Sequence, residues 1–199
     1  MNALQTAKRA KIVFLPLFMV PLALSVLWYL NGHDGANAIE YFILRTGNWT
    51  IRFLLITLAV SPLRQLVKWN WLITYRRPLG LTAFFYGCAH LIAYVYLDFG
   101  MDIKFIYQDI LTSPYIYVGL IAFLLLIPLA ITSTRKAIRR LGKKWTILHR
   151  LVYVSITLGI VHYLLQIKHL SLQIWIYIFV LLLLFSFRMF SFMRKNQSE

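Results

Sequence analysis

Residues 141–163 read LGKKWTILHRLVYVSITLGIVHY. Two lysines and a tryptophan open the stretch, a nearly charge-free apolar run follows, and two histidines, His149 and His162, lie within it. Basic and aromatic residues ahead of an apolar run of about 20 residues mark a helix entering a membrane from its cytoplasmic face. Imidazoles are rare at such depth, because an unpartnered polar group in hydrocarbon is costly, so each one reads as functional. A third, His90, lies in RRPLGLTAFFYGCAHL, residues 76–91.

The rest of the chain carries the same signature. Its 199 residues are 60% hydrophobic and 14% charged, with a mean hydropathy of +0.70. Soluble domains carry about a quarter charged residues, so this is an integral membrane protein. Six runs near 12–30, 49–67, 78–97, 114–131, 145–167 and 172–193 have the length a bilayer demands. They predict an all-α bundle of six transmembrane helices forming one domain over residues 1–199. No linker, low-complexity segment or internal repeat is evident between them. Lys8, Arg9 and Lys11 precede the first run, but that run is long for a signal peptide and no small-residue cleavage site follows, so it reads as a retained helix.

The net charge of +15 is distributed by side. One set of ends and loops collects Lys8, Arg9, Lys11, Arg64, Lys68, Arg76, Arg77, Arg135, Lys136, Arg139, Arg140, Lys143, Lys144, Arg150, Arg188, Arg194 and Lys195; the other holds only Arg45, Arg52, Lys104 and Lys168. This asymmetry places both termini in the cytoplasm. It also offers the basic loops to anionic lipid headgroups and argues against a nucleic-acid role. Asp34, Glu40, Asp98, Asp102 and Asp109 fall on or near the opposite loops, and Glu199 ends the chain. No carboxylate sits mid-span, which counts against a proton- or cation-coupled transporter. The single Cys88 can form neither an internal disulfide nor a dithiol pair and reads as a packing residue.

Depth then relates the histidines. At ~1.5 Å per residue, His90 lies roughly 18 Å into its span, His149 about 6 Å into the parallel fifth span, and His162 about 26 Å. His90 therefore matches His162 in height better than His149. A neutral imidazole is a good haem-iron ligand, and two on facing helices can hold a haem from both sides, here in the outer half of the membrane. His149 and His162 are roughly 20 Å apart along one helix, a spacing suited to two stacked groups, although thirteen residues on an ideal helix do not share a face. His33 and His169 sit in or beside outer loops. Trp69, Trp71, Tyr75, Trp145 and Trp175 fit an aromatic belt.

The stretches at 76–91 and 141–163, with TLAVSPLR at 57–64 and LAITS at 129–133, resemble the ferric reductase-like transmembrane family of b-type cytochromes. Within it they are most similar to the haem-binding membrane subunits of bacterial periplasmic protein-methionine-sulfoxide reductase systems. The resemblance spans essentially the whole chain and implies a multi-pass protein of the bacterial inner membrane. It implies haem b, one or two, together with FMN. It also implies a donor in the quinone pool or a flavin reductase, and a soluble periplasmic molybdenum-containing methionine-sulfoxide reductase as acceptor. His90, His149 and His162 fall on the family's haem-associated positions. The wider family tends to carry two histidines on each of two helices; here Arg77 and Arg76 stand thirteen and fourteen residues before His90. His149 accordingly either ligates a second haem with a weaker partner or helps form an inner flavin site. Arg76, Arg77 and Arg150 are candidates to pair with haem propionates or a flavin phosphate.

The chain has no G-x-G-x-x-G turn to hold a nicotinamide, so it is read as an electron-transfer subunit and not as a complete NAD(P)H oxidase or the catalytic subunit. Two other readings stand beside it. One is a stand-alone transmembrane reductase of ferric or other metal ions. The other is a cofactor-free transporter or assembly protein whose histidines merely hydrogen-bond between helices.

Overall fold

The computed structural model describes residues 3–33, 35–167 and 171–196, which are helices joined by short turns. Asp34, Lys168, His169 and Glu199, read above as loop or terminal groups, lie outside the described residues. The long helices are α1 (Ala3–Leu30), α2 (Ala38–Val67) and α3 (Arg76–Ala93). A short α4 (Ile103–Thr112) leads into α5 (Pro114–Ile131). Two further short helices, α6 (Arg135–Leu141) and α7 (Lys143–Leu148), precede α8 (Leu151–Gln166) and α9 (Leu172–Asn196).

Local chemistry sets several of these boundaries. Lys68 ends α2 in the left-handed conformation at φ 56°. The Asp102 carboxylate accepts from the backbone N–H groups of Lys104 and Phe105 and so starts α4. Pro114 opens α5, where its missing N–H costs nothing. The Thr134 hydroxyl accepts from Ala137 N–H at the head of α6.

Among the described residues, five stretches are long and apolar enough to cross a membrane: Ala38–Val67, Asn70–Asp98, Pro114–Ile131, Lys143–Gln166 and Leu172–Ser191. The remaining predicted crossing, near 12–30, falls in α1, whose apolar stretch among the described residues is Phe18–Leu30. Two helical hairpins, α2 with α3 and α5 with α8, form the closest pairs and face each other through α3–α5 and α2–α8 contacts. Helix α9 packs on α2 and α8, and α1 on α2 and α3. The core between them holds Phe53, Leu54, Ala83, Tyr86, Leu126, Ile156 and Ile174. Outward-facing Leu182 and Phe179 stay exposed, as side chains facing lipid do.

Two predicted spans differ in ways that matter to the site. Helix α2 begins at Ala38, not near Trp49. Glu40, Arg45 and Asn48 lower the hydropathy there without breaking the helix, so its first three turns escape an apolar-run reading. The fifth span is divided: α7 ends at Leu148 and α8 starts at Leu151. Between them the backbone tightens, with Arg150 N–H bonding Ile147 O and Tyr153 N–H bonding Arg150 O. This three-residue spacing breaks the uniform helical phase assumed between His149 and His162.

Candidate cofactor site

His90 on α3 and His162 on α8 meet across the bundle, their ring centroids 6.1 Å apart and their planes at 80°. His90 Nδ1 lies 2.9 Å from Ile43 O, and His162 Nδ1 lies 2.6 Å from Tyr115 O. A carbonyl can only accept, so each Nδ1 carries the proton and each Nε2 keeps a bare lone pair. Neither Nε2 has a hydrogen-bond partner among the described residues. Both rings line one cavity of about 320 Å³ whose walls are otherwise almost wholly apolar, including Leu44, Leu54, Val95, Leu120 and Phe123.

Glycines make room for the rings. A Cβ added at Gly47 on α2 would stand 3.0 Å from His90 Nδ1, and one at Gly119 on α5 would stand 2.6 Å from His162 Nδ1. Each imidazole thus lies against a neighbouring helix at the one residue type that admits it, held there by a carbonyl one turn away. The residues fit a metal-centred group between them. Both rings border an almost wholly apolar space, and their centroid separation leaves room for two metal–nitrogen bonds of about 2 Å each.

The two halves of this arrangement repeat. The Ile43–His90 and Tyr115–His162 bonds both span 47 residues; adding 72 to 43, 47 and 90 gives 115, 119 and 162. The same shift relates Leu54 to Leu126 and Gly87 to Gly159, all on the cavity wall. The α2–α3 and α5–α8 hairpins therefore present a carbonyl, a glycine and a histidine to the cavity at the same sequence spacing. No repeat is evident in the sequence because little beyond the cradle and scattered leucines coincides at this shift.

A second cavity of about 310 Å³ lies at the arginine-rich end, where Arg76, Arg77, His149, Arg150 and Arg188 contribute to its wall. Arg76 Nη1 reaches 3.5 Å from Ser61 Oγ, and the Arg188 guanidinium stands 5.5 Å from the Tyr153 ring centre. No Asp or Glu lines this space among the described residues. Four arginines on the wall of a cavity without a carboxylate are a setting for an anionic group. His149 stacks on Trp145 with centroids 3.9 Å apart, and its Nε2 lies 3.0 Å from Thr132 Oγ1. The Thr132 proton is directed to Pro128 O at 2.6 Å, so His149 Nε2 donates and Nδ1 is its free lone pair.

Residues 44–160 match the family described as "Ferric reductase like transmembrane component". The chain belongs to the ferric reductase-like transmembrane family. Curated relatives agree. A protein of Herminiimonas arsenicoxydans, named "Protein-methionine-sulfoxide reductase heme-binding subunit MsrQ", is 50% identical over 146 residues, 73% of this chain and 67% of that protein. Proteins of the same name from Azospira oryzae and Rhodospirillum rubrum are 48% and 47% identical over 172 and 154 residues. Those matches cover 84% and 75% of this chain and 73% and 74% of the relatives.

Within this family member, the structure brings the predicted residues together as two groups. His90 and His162 share one cavity; His149, Arg76, Arg77 and Arg150 share the other. Four positions lining these cavities escaped the sequence reading. Gly47 lies ahead of the predicted second span, and Gly119 carries no signal until its histidine is placed. Arg188 was counted only among the basic residues of the cytoplasmic side. Trp145, assigned to an interfacial belt, instead covers His149 and donates from Nε1 to Thr132 O at 3.0 Å. Tyr75, also assigned to the belt, is buried.

Proposed function

We propose that this chain is a membrane electron-transfer subunit that holds a haem b between His90 and His162 and delivers electrons to a periplasmic methionine-sulfoxide reductase. The carrying observation is the pair of imidazoles whose tautomers are fixed by Ile43 O and Tyr115 O, leaving two Nε2 lone pairs 6.1 Å apart by ring centre in an apolar cavity. The names of the relatives, which are heme-binding subunits, support the same assignment.

When bound, the haem supplies a one-electron ferric–ferrous couple. The chain's own residues do the rest. The two Nδ1–H···O=C bonds orient the rings and raise the basicity of Nε2. Gly47 and Gly119 let the rings sit at the helix surfaces, and the leucines and Phe123 exclude water, which tunes the couple through burial.

The charge bias supports an arginine-rich cavity on the cytoplasmic side with both termini there, and α1 is read as a sixth crossing. That cavity would take an anionic redox group, the phosphate of FMN or the propionates of a second haem b, on Arg76, Arg77 and Arg150 beside His149. Electrons enter there from the quinone pool or a flavin reductase and leave at the opposite face to a molybdenum-containing partner, all in a bacterial inner membrane.

The test is a dithionite-reduced minus air-oxidised spectrum of the detergent-purified chain after haem-supplemented expression. A b-type signal lost in His90→Ala is expected. A normal spectrum in that variant would remove the ligand assignment, and a colourless, well-folded wild type would favour the cofactor-free reading.

A further inference from the structure

The sequence groups Arg52 with the ends and loops opposite the basic side; in the structure it stands midway along the 30 residues of α2. Roughly 20 Å of helix lies on either side of it. A guanidinium at that depth is costly and calls for a reason. It makes no ion pair among the described residues. Its Nε donates to Tyr177 Oη at 2.8 Å, which turns the side chain toward α9, and its central carbon lies 4.8 Å from the middle of the Trp49 ring. These contacts hold the side chain without neutralising its charge.

The network continues to the cavity wall. Gln173 Nε2 lies 2.7 Å from both Tyr177 Oη and Asn48 Oδ1. Asn48 lines the His90–His162 cavity and adjoins Gly47, the residue against which His90 lies. On the other side, the Tyr177 ring is 6.1 Å from that of Tyr163, which lines the same cavity next to His162. The buried Tyr177 thus adjoins the neighbours of both histidines, with the guanidinium bonded to its oxygen.

We propose that Arg52 sets the reduction potential of the haem held by His90 and His162, its positive charge favouring the ferrous state from just behind the cavity wall. The inference rests on the haem reading of that cavity. Among the described residues the wall carries no Lys, Arg, Asp or Glu. Reduction brings one electron into this apolar space, where a nearby charge acts through a low dielectric and is felt strongly. A fixed cation stabilises the added negative charge and raises the potential, so that a weaker donor fills the haem. Helix pairing alone does not account for the residue. A neutral glutamine also donates to a tyrosine oxygen, and it does so without the cost of burying a charge. The bond to Tyr177 gives a flexible side chain one place, at a depth where salt does not screen it.

The test is a potentiometric titration of the b-type band in the full-length, detergent-purified chain, with haem per chain and the low-spin electron paramagnetic resonance signal recorded beside it. Arg52→Gln should lower the midpoint. At a fixed applied potential the ferrous-to-ferric ratio should fall roughly tenfold, the order expected of one charge acting through an effective dielectric of about 20. Arg52→Lys keeps the charge and should stay close to wild type. Haem content and the low-spin signal should be unchanged in both, since neither variant touches a ligand cradle. An unmoved midpoint in Arg52→Gln overturns the proposal. So does an equal fall in Arg52→Gln and Arg52→Lys, which would assign the effect to packing.

If Arg52→Gln does not fold, Tyr177→Phe is read in its place. It keeps the charge but removes the oxygen that holds it, so a smaller fall in midpoint is expected, and an unmoved midpoint is the overturning result. A wild type without any low-spin haem signal would overturn the haem reading of the cavity and this proposal with it. A normal wild-type signal with an unmoved midpoint in the variants would overturn this proposal alone.

Discussion

A methyl group at residue 119 would stand 2.6 Å from His162 Nδ1, against 3.0 Å for its counterpart at residue 47 and His90 Nδ1. Helix backbone cannot yield that distance easily, so the ring must turn and surrender its bond to Tyr115 O. Gly119→Ala is expected to carry an overpacking cost of about 1–3 kcal/mol and to lower haem content or broaden the low-spin signal. Gly47→Ala should do so more weakly. Haem per chain, measured beside the low-spin resonance, checks the order; equal retention in both variants would mean that the cradles do not hold the ligands. The histidines themselves were legible because imidazoles are conspicuous in apolar runs. Their cradles were not, since a glycine in a membrane helix has many uses and only the folded pairing shows which ring it faces. Arg188 was invisible as a cavity residue for a related reason: positive charge near a span end already has an explanation in topology.

At the scale of elements, the tie between α1 and α3 runs through one hydroxyl. Tyr86, fully buried, accepts from Leu22 N–H at 2.8 Å and donates to Phe18 O at 3.0 Å, so its oxygen is inserted between two groups that an unbroken α1 would bond directly. Tyr86→Phe leaves both backbone groups in need of a partner, at a cost of about 1–3 kcal/mol less whatever is regained by closing the helical bond. The expected outcome is a lower thermal midpoint in detergent with an unchanged haem spectrum, because Tyr86 does not line the His90 cavity. A displaced spectrum would show that α1 positions the ligands after all. Apolar length predicted α5 to the residue, since Pro114 and the turn after Ile131 bound a run with no charge in it. It missed the start of α2, where polar side chains ride on a continuous helix, and the break between α7 and α8, where a change in hydrogen-bond spacing leaves no trace in hydropathy.

For the molecule as a whole, two cavities of opposite character make the proposed direction of electron flow testable. The His90–His162 level has an apolar wall, and the other is ringed by Arg76, Arg77, Arg150 and Arg188. If the arginines retain an anionic entry group, weakening them should slow filling of the haem without altering its emptying. Arg150→Gln with Arg188→Gln leaves the His90 and His162 cradles untouched. Each charge-assisted bond removed is worth about 1.5–3 kcal/mol, or roughly tenfold to a hundredfold in retention of the anion. Stopped-flow absorbance on the solubilised chain can follow one haem band in both directions: reduction by the flavin-linked donor, then reoxidation by a periplasmic methionine-sulfoxide reductase. The double variant should lose the first rate at limiting FMN, recover part of it when FMN is raised, and keep the second. Loss of both rates in parallel would assign the two arginines to folding or to haem retention. Two unchanged rates would show that electrons reach the haem by a route that bypasses the arginine-rich cavity.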